Sequence, residues 1–198
     1  TVIYCDDKNA PAQNYSNNFI CSKYNDETKI KEFANQVDVV TFEFENIPVP
    51  TLKKIQEIKP VYPDPNVNFI IQNRSKEKNF INQLGINTVD YKNIYSYKDI
   101  ENIHKDQILD TSKIPSNIDN KIADQSTRYA IKLANELNYV GTMCVEYFID
   151  KNNKLFVNEI APRVHNSGHL TINAYNISQF ESHVRSVCNL EAIEPVMK

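Results

Sequence analysis

Two glutamates interrupt apolar segments in the second half of the chain. Glu146 is flanked by Val145 and Tyr147, and Glu159 precedes Ile160. Carboxylates in such surroundings are hard to explain as solvent-exposed charges. Two carboxylates, together with phosphate oxygens and water, are the ligands with which proteins usually hold Mg²⁺. The pair therefore predicts a magnesium site, at which the metal would offset charge that develops during phosphoryl transfer.

The two glutamates fall on one predicted hairpin. Apolar strands over Val140–Ile149 and Leu155–Ile160 flank a polar turn at 150–154. Such a pattern is typical of two antiparallel strands joined by a short loop. The glutamates should therefore lie on neighbouring strands of one sheet.

The register of this hairpin decides whether the carboxylates can meet. A four-residue loop places Glu146 opposite Val157 and Glu159 opposite Cys144. The glutamates are then diagonal neighbours on one face, with Cβ atoms roughly 7–8 Å apart. With a loop of three or five residues, the two glutamates would no longer share a face. The alternative interpretation is that both are exposed charges on edge strands.

A polar segment follows the second strand directly. It contains Arg163, His165, Asn166 and His169. Arginine offers a planar fork of donors to phosphate or carboxylate, and neutral histidine and asparagine add further donors. The composition is that of an anion-binding loop, and the alternative is a surface loop with a structural arginine and a helix-capping asparagine.

The elements that must position these residues follow from periodicity. Strands alternate with helices up to about residue 72, which indicates an open α/β sheet. The predicted elements are strands at 1–4, 18–21, 38–44 and 61–62, helices at 27–37, 51–59, 74–84, 118–137 and 178–188, and the hairpin. Asp26 should cap the first helix, Ile58 should face inward from the second, and Gly85 should end the third.

Composition excludes several classes of protein. The chain has 198 residues, 41% hydrophobic, with a formal net charge of −3. No strong basic field favours nucleic acid, and no apolar run approaches the roughly 18 residues of a membrane span. A short apolar start followed by charged residues predicts no signal peptide. Four scattered cysteines without metal-ligand spacing read as buried thiols of a cytosolic protein, at positions 5, 21, 144 and 188.

Glycine is scarce. The chain has three glycines where an average composition predicts about fourteen. No P-loop and no glycine-rich dinucleotide motif is present in the sequence. Phosphate-binding glycine loops are therefore either unused or located outside this chain.

These residues resemble the ATP-grasp superfamily and, within it, the N5-carboxyaminoimidazole ribonucleotide synthases. The resemblance rests on four stretches: 38–48, 73–80 with 84–88, 101–109, and 137–141 continuing through 157–169 to 178–181. Ala161, two residues after the second glutamate, is the residue common in this branch where many ATP-grasp enzymes have asparagine. The resemblance implies a fold with an N-terminal open parallel α/β domain over 1–72 and an antiparallel-sheet ATP-grasp domain over 73–190, with 191–198 opening a C-terminal domain.

The resemblance also implies that parts are absent. Family members are longer, and they carry a glycine-rich turn after a first strand, a central lid and a C-terminal domain. In this sequence, the residues that precede the lid in family members are followed directly, near 100/101, by the residues that come after the lid. The chain is therefore expected to lack the lid, the first strand and most of the C-terminal domain.

Roles for individual residues are likewise implied by the resemblance. Glu146 and Glu159 match the two Mg²⁺ ligands, Asn158 and Arg74 match ATP contacts, and Glu43 matches a substrate contact.

The loop after the second glutamate has its own implied role. Arg163, His165 and Asn166 match the residues around bicarbonate and the aminoimidazole. The arginine would stabilise an anionic carboxyphosphate, and His165 would hydrogen-bond the substrate or shuttle a proton.

The implied activity is the ATP-dependent carboxylation of 5-aminoimidazole ribonucleotide by bicarbonate in purine synthesis. ATP, Mg²⁺, bicarbonate and the ribonucleotide are the expected ligands, and a cytoplasmic homodimer without nucleic-acid or membrane partners is expected. Two alternatives stay open at this point. One is a formate-dependent glycinamide ribonucleotide transformylase, and the other is a non-catalytic nucleotide-binding protein.

Overall fold

The computed structural model describes residues 1–90 and 118–198, so the predictions for 91–117, including the missing lid, lie outside the described residues. The described elements, in chain order, are β1 (Val2–Cys5), a 3₁₀ turn (Pro11–Tyr15), β2 (Asn18–Cys21), α1 (Glu27–Ala34), β3 (Val40–Thr41), α2 (Val49–Gln56), β4 (Val61–Tyr62), α3 (Pro65–Ile71), α4 (Arg74–Gln83), α5 (Asn120–Glu136), β5 (Cys144–Ile149), β6 (Leu155–Ala161), a 3₁₀ turn (Asn166–Gly168), α6 (Thr171–Ala174) and α7 (Gln179–Val187). Helices and strands alternate up to α3, as the sequence predicts.

The first part of the chain is built on parallel strand pairs. β1 pairs with β2, and β3 pairs with β4. Helix α1 begins where the sequence predicts, because the side chain of Asp26 accepts a hydrogen bond from the Lys29 amide. Apolar side chains of these elements form one buried core: Ile20, Ile30, Phe33, Ala34, Val40, Phe42, Leu52, Ile55 and Val61.

A second core forms around the antiparallel hairpin of β5 and β6. Helices α4 and α5 pack against β6, and α3 packs against α4. The buried apolar side chains of this core are Val67, Ile71, Ile81, Ile86, Leu133, Leu137, Val157 and Ile160. Helix α4 ends at the predicted position, because Gly85 adopts a φ of 71° that other residues rarely adopt. The open parallel region and the antiparallel region thus have the arrangement that the sequence predicts.

Several boundaries differ from the predictions. The strand predicted at 38–44 is only two residues long, because its partner β4 is followed at once by Pro63, which has no amide to extend the ladder. Ile58 is 37% exposed rather than inward, because α2 ends at Gln56. Helix α3 was not predicted, although Asp64 caps it and Pro65 opens it.

Two further expectations concern the burial of the cysteines and the absence of membrane-spanning helices. All four cysteines are free, but Cys21 and Cys188 are exposed, so the prediction of buried thiols is wrong for them, and Cys5 and Cys144 are only partly buried. Among the described residues, each helix is too short or too polar to cross a membrane.

A buried histidine joins the two regions. The ring of His183, on α7, accepts a hydrogen bond at Nδ1 from the Thr142 amide (3.1 Å), so its proton is on Nε2 and is donated to Thr41 Oγ1 (2.7 Å). Thr41 belongs to β3, in the first core region, whereas Thr142 precedes β5. Protonation of Nδ1 would break the first bond, and burial lowers the pKa of His183.

We expect this joint to make stability depend on pH. Because the folded pKa is below the ordinary value of 6.5, the unfolded chain takes up a proton that the folded chain does not. The stabilisation is complete above pH 6.5 and is lost as the pH falls towards the folded pKa. The free energy of unfolding, measured in urea at pH 7.5, 6.5 and 5.5, should decline less steeply in His183→Gln than in the parent.

His169 provides the control for this measurement. It is exposed and stacks on Phe180, so His169→Gln should keep the parental pH profile. Parallel profiles of His183→Gln and the parent would contradict the assignment.

Candidate active site

The hairpin brings the two glutamates face to face. Glu146 lies directly opposite Glu159, while Tyr147 pairs with Val157 and Ile149 pairs with Leu155. The loop therefore has five residues, and the predicted pairing of Glu146 with Val157 and of Glu159 with Cys144 is wrong. An irregularity between Glu146 and Tyr147 leaves Asn158 as the extra residue, which is a β-bulge.

Two one-residue deviations compensate each other in this hairpin. The longer loop alone would place Glu146 opposite Asn158 and would turn Glu159 to the other face. The bulge shifts the register once more and restores the glutamates to a common face. They are then directly opposite, where Cβ atoms are about 4.5–5.5 Å apart, rather than diagonal.

A potential cation site follows from this geometry. One ligand atom from each of Glu146, Glu159 and His165 lies within 4.8 Å of the other two. The side-chain amide of Asn158 donates to Glu146 Oε2 at 3.2 Å and orients that carboxylate. The paired carboxylates are a donor set suited to Mg²⁺, which prefers oxygen.

His165 is better suited to orient Glu146 than to bind a metal. Its Nδ1 accepts from the backbone amide of Ser167 (3.3 Å), so the neutral ring carries its proton on Nε2. That Nε2 faces Glu146 Oε1 at 3.5 Å. A metal at Nε2 would require the other tautomer, which the Ser167 bond disfavours.

Arg74 is the cation that contacts the second carboxylate. From the first turn of α4, its Nη2 donates to Glu159 Oε2 at 2.5 Å, and its Nη1 donates to Glu77 Oε2 at 2.9 Å. Burial alone lowers the pKa of Arg74, but the two carboxylates outweigh it and leave the pKa raised. Arg74 therefore stays charged and offsets the repulsion between the facing glutamates.

Arg163 is anchored from the other side. Its Nε donates to Glu45 Oε2 at 2.9 Å, and its Nη1 donates to the Val164 carbonyl. Glu45 lies between β3 and α2, so this pair ties the loop after β6 to the first core region. The guanidinium is held in place beside the hairpin, where it could meet an anion.

Gln179 fixes the backbone of the polar loop. Its side chain accepts from the His165 amide (2.9 Å) and donates to the His165 carbonyl (2.8 Å). Gly168 makes room for it, since a Cβ at that position would lie 2.4 Å from Gln179 Oε1. The orientation of His165 thus depends on a buried side chain of α7.

A cavity of about 140 Å³ opens beside the second glutamate. Its lining includes Glu45, Asn68, Arg74 and Glu159. Burial raises the pKa of the nearby Cys144 thiol, an effect that the Ser167 hydroxyl partly opposes. A neutral thiol is a poor nucleophile, so the chemistry of this region rests on carboxylates, arginines and His165.

Of the eight predicted site residues, five are linked to one another, two belong to the loop beside them and one lies elsewhere. Glu146, Asn158, Glu159, Arg74 and His165 are linked by the contacts above, and Arg163 and Asn166 belong to the adjoining loop, with Asn166 exposed. Glu43, by contrast, is exposed and lines a different, apolar cavity between β1 and β3.

Sequence reasoning missed three residues of the site, namely Glu45, Glu77 and Gln179. Glu45 stands only two positions after Glu43, but nothing in the sequence shows that the strand ends at Thr41 and frees it. Glu77 could have been found, because it is three positions after Arg74 on the same helix face.

Comparison with known proteins gives consistent matches. The ATP-grasp domain family matches residues 49–180, and the ribonucleotide synthetase preATP-grasp domain family matches residues 1–72. The N5-carboxyaminoimidazole ribonucleotide synthase of Brucella melitensis is 30% identical over 96% of this chain and 74% of its own length. The corresponding enzyme of Bacillus subtilis is 27% identical over 92% of this chain and 68% of its own length.

The fold of this chain is also similar to solved structures of the same enzyme family. The N5-carboxyaminoimidazole synthetase of Staphylococcus aureus complexed with ADP superimposes with a TM-score of 0.86 at 25% identity, over 99% of this chain and 72% of that one. The N5-carboxyaminoimidazole ribonucleotide synthetase of Thermotoga maritima gives a TM-score of 0.85 at 25% identity, over 99% and 71%. The alignment with the Brucella enzyme is 268 positions long, whereas this chain has 198 residues. The Brucella enzyme therefore contains residues that have no counterpart in this chain.

The packing of Gly168 against Gln179 can be tested by a double-mutant cycle. Gly168 does not require a positive φ, so the cost of Gly168→Ala should come from the contact with Gln179. Because Gln179 is held at both ends by His165, it cannot move aside, and we expect a loss of about 1–3 kcal/mol in the free energy of unfolding. In a Gln179→Ala background the same substitution should cost much less. Equal costs in both backgrounds, measured by urea denaturation, would show that the contact is not the cause.

Proposed function

Because this chain belongs to the ATP-grasp family and, within it, to the N5-carboxyaminoimidazole ribonucleotide synthases, we propose that it carboxylates 5-aminoimidazole ribonucleotide with bicarbonate and ATP, as an ATP-dependent ligase of purine biosynthesis. The observation that carries the proposal is the pair of facing carboxylates, Glu146 and Glu159, beside the anchored Arg163. Carboxylates that hold a cation and an arginine that meets an anion are what phosphoryl transfer to bicarbonate requires.

Mg²⁺ fits the residues that are present. Glu146 and Glu159 supply facing oxygen ligands, and both are partly exposed, so they remain accessible to a nucleotide-bound ion. When bound, the ion would supply positive charge that offsets the negative charge developing on the transferring phosphoryl group. Asn158 and His165 would keep the Glu146 carboxylate in its orientation, and Arg74 would contact the phosphates of ATP from α4.

The reaction has two stages. An oxygen of bicarbonate bonds to the γ-phosphorus of ATP while the bond to ADP breaks, which gives carboxyphosphate. The carboxyl carbon then bonds to the exocyclic amine, directly or as released CO₂; phosphate leaves and the amine loses a proton. Arg163 would stabilise the carboxyphosphate anion and orient it, while His165 and Asn166 would hydrogen-bond the aminoimidazole.

Further assignments complete the proposal. We divide the chain into an N-terminal domain at 1–72, an ATP-grasp domain at 73–190 and the start of a third domain at 191–198, although α3 already packs into the second core. Glu43 is proposed as a substrate contact. The enzyme is proposed to act as a cytoplasmic homodimer.

Release of ADP tests the activity. With Mg²⁺, ATP and bicarbonate, addition of 5-aminoimidazole ribonucleotide should stimulate ADP release, and Glu159→Gln should reduce the stimulated rate by at least about 100-fold, because loss of a metal ligand removes several kcal/mol of charge stabilisation. No stimulation of the folded parent by this ribonucleotide would overturn the carboxylase assignment. Stimulation by glycinamide ribonucleotide with formate would favour the transformylase instead.

Arg163 is tested against a matched arginine. Arg163→Gln should lower kcat by about 100- to 1,000-fold, the usual effect of removing one donor from a developing anion. Arg185 forms a similar pair with Glu181 on α7, outside the site, so Arg185→Gln should retain the parental kcat. Similar losses in both variants would assign Arg163 to stability alone.

A further inference from the structure

Helix α4 turns a charged face towards the interior. Arg74, Glu77, Lys78 and Ile81 follow the spacing of one helix face, and Ile81 is buried in the second core. Glu77 has no exposed surface and Lys78 is only 5% exposed. Buried charges are costly unless they are paired and hydrogen-bonded, so their contacts identify what this face does.

Both buried side chains contact the main chain of β6 at one place. Glu77 Oε1 accepts a hydrogen bond from the Ile160 amide at 2.6 Å. Lys78 Nζ donates to the Asn158 carbonyl and lies 3.5 Å from the Val157 carbonyl. The bonded peptide groups lie immediately before and after Glu159, so α4 holds the backbone on both sides of that residue.

The location coincides with the bulge. Asn158 is the residue that β5 leaves unpaired, and a bulge locally disrupts the ladder that would otherwise fix the strand. Buried main-chain groups need partners, and here side chains supply them. Glu77 also binds Arg74, whose other nitrogen contacts the Glu159 carboxylate, so the main chain and the side chain of Glu159 are fixed from one helix.

We propose that Glu77 and Lys78 are positioning residues of the cation site, which hold the bulged backbone so that Glu159 faces Glu146. The inference rests on the proposed function in one respect, namely that the two glutamates bind a divalent ion. It assigns no contact with substrate to either residue. A purely structural role would lower stability without changing the geometry of the ion site.

Binding of Mn²⁺, followed by its electron paramagnetic resonance spectrum in the presence of ADP, tests the proposal. Lys78→Met and Glu77→Gln should each raise the Kd for Mn²⁺ by about 10- to 100-fold, the usual effect of removing a residue that orients a ligand. Both should also alter the spectrum of the bound ion. Lys78→Arg, which can still donate to the Asn158 carbonyl, should restore much of the affinity.

Lys132→Met is the matched control. Lys132 donates from α5 to the carbonyl of Leu84, just past the end of α4, so the variant removes a lysine–carbonyl bond at the far end of the same helix. It should leave both the Kd and the spectrum unchanged. If Lys78→Met and Glu77→Gln fold and bind Mn²⁺ like Lys132→Met, the proposal is overturned; if Lys78→Met does not fold, Glu77→Gln decides.

Failure of the proposed function gives a different result. In that case the parent itself binds no Mn²⁺, or Glu159→Gln binds it as well as the parent does. Amide hydrogen exchange at Ile160 then decides the positioning role without a metal. Faster exchange in Lys78→Met and Glu77→Gln, with parental exchange in Lys132→Met, supports it, and unchanged exchange in all three variants overturns it.

Discussion

The geometry of the site depends on one extra residue in strand β6. From the turn, the pairing of Ile149 with Leu155 and of Tyr147 with Val157 would continue to a pair between Glu146 and Asn158. Glu159 would then point to the opposite face, because successive side chains of a strand alternate. The bulge at Asn158 converts this arrangement into two facing carboxylates, and it also allows the Asn158 side chain to reach Glu146.

A bulge is stable only if its main-chain groups find partners, and this requirement explains the composition of α4. A helix packed on a hydrophobic core would ordinarily bury apolar side chains, yet α4 buries Glu77 and Lys78 next to Ile81. Replacing a buried ion pair with apolar residues is often neutral or stabilising. These charges are therefore better explained by what they hold, which is the backbone around Glu159, than by their contribution to stability.

Local signals end several of the elements that the sequence predicts correctly, although the signals at Asp64 and Pro65 did not lead to a prediction of α3. Asp26, Ser178 and Gly85 mark helix ends that the structure reproduces, and each acts through a hydrogen bond or a backbone angle of its own. The register of the hairpin was not predictable in the same way. Loop length and bulge each shift the pairing by one residue, and the side chains that bond the main chain at the bulge come from α4, which is distant in sequence. The shared face of the glutamates was therefore predicted correctly, but from an incorrect pairing.

The distribution of charge shows what the assembled site can accept. In the charged cluster, Arg74 pairs with Glu77 and Glu159, and Arg163 pairs with Glu45. Its other charged side chains are Glu146 and Lys78, so four carboxylates stand against three cations. The cluster thus has one more negative charge than positive, located at the facing glutamates. A divalent cation there would reverse the sign and give the cluster, Arg163 included, a net charge of one positive unit, which favours an anion. The site is therefore suited to a cation and a phosphate together more than to either alone, as expected where a metal–nucleotide complex meets an anionic second substrate.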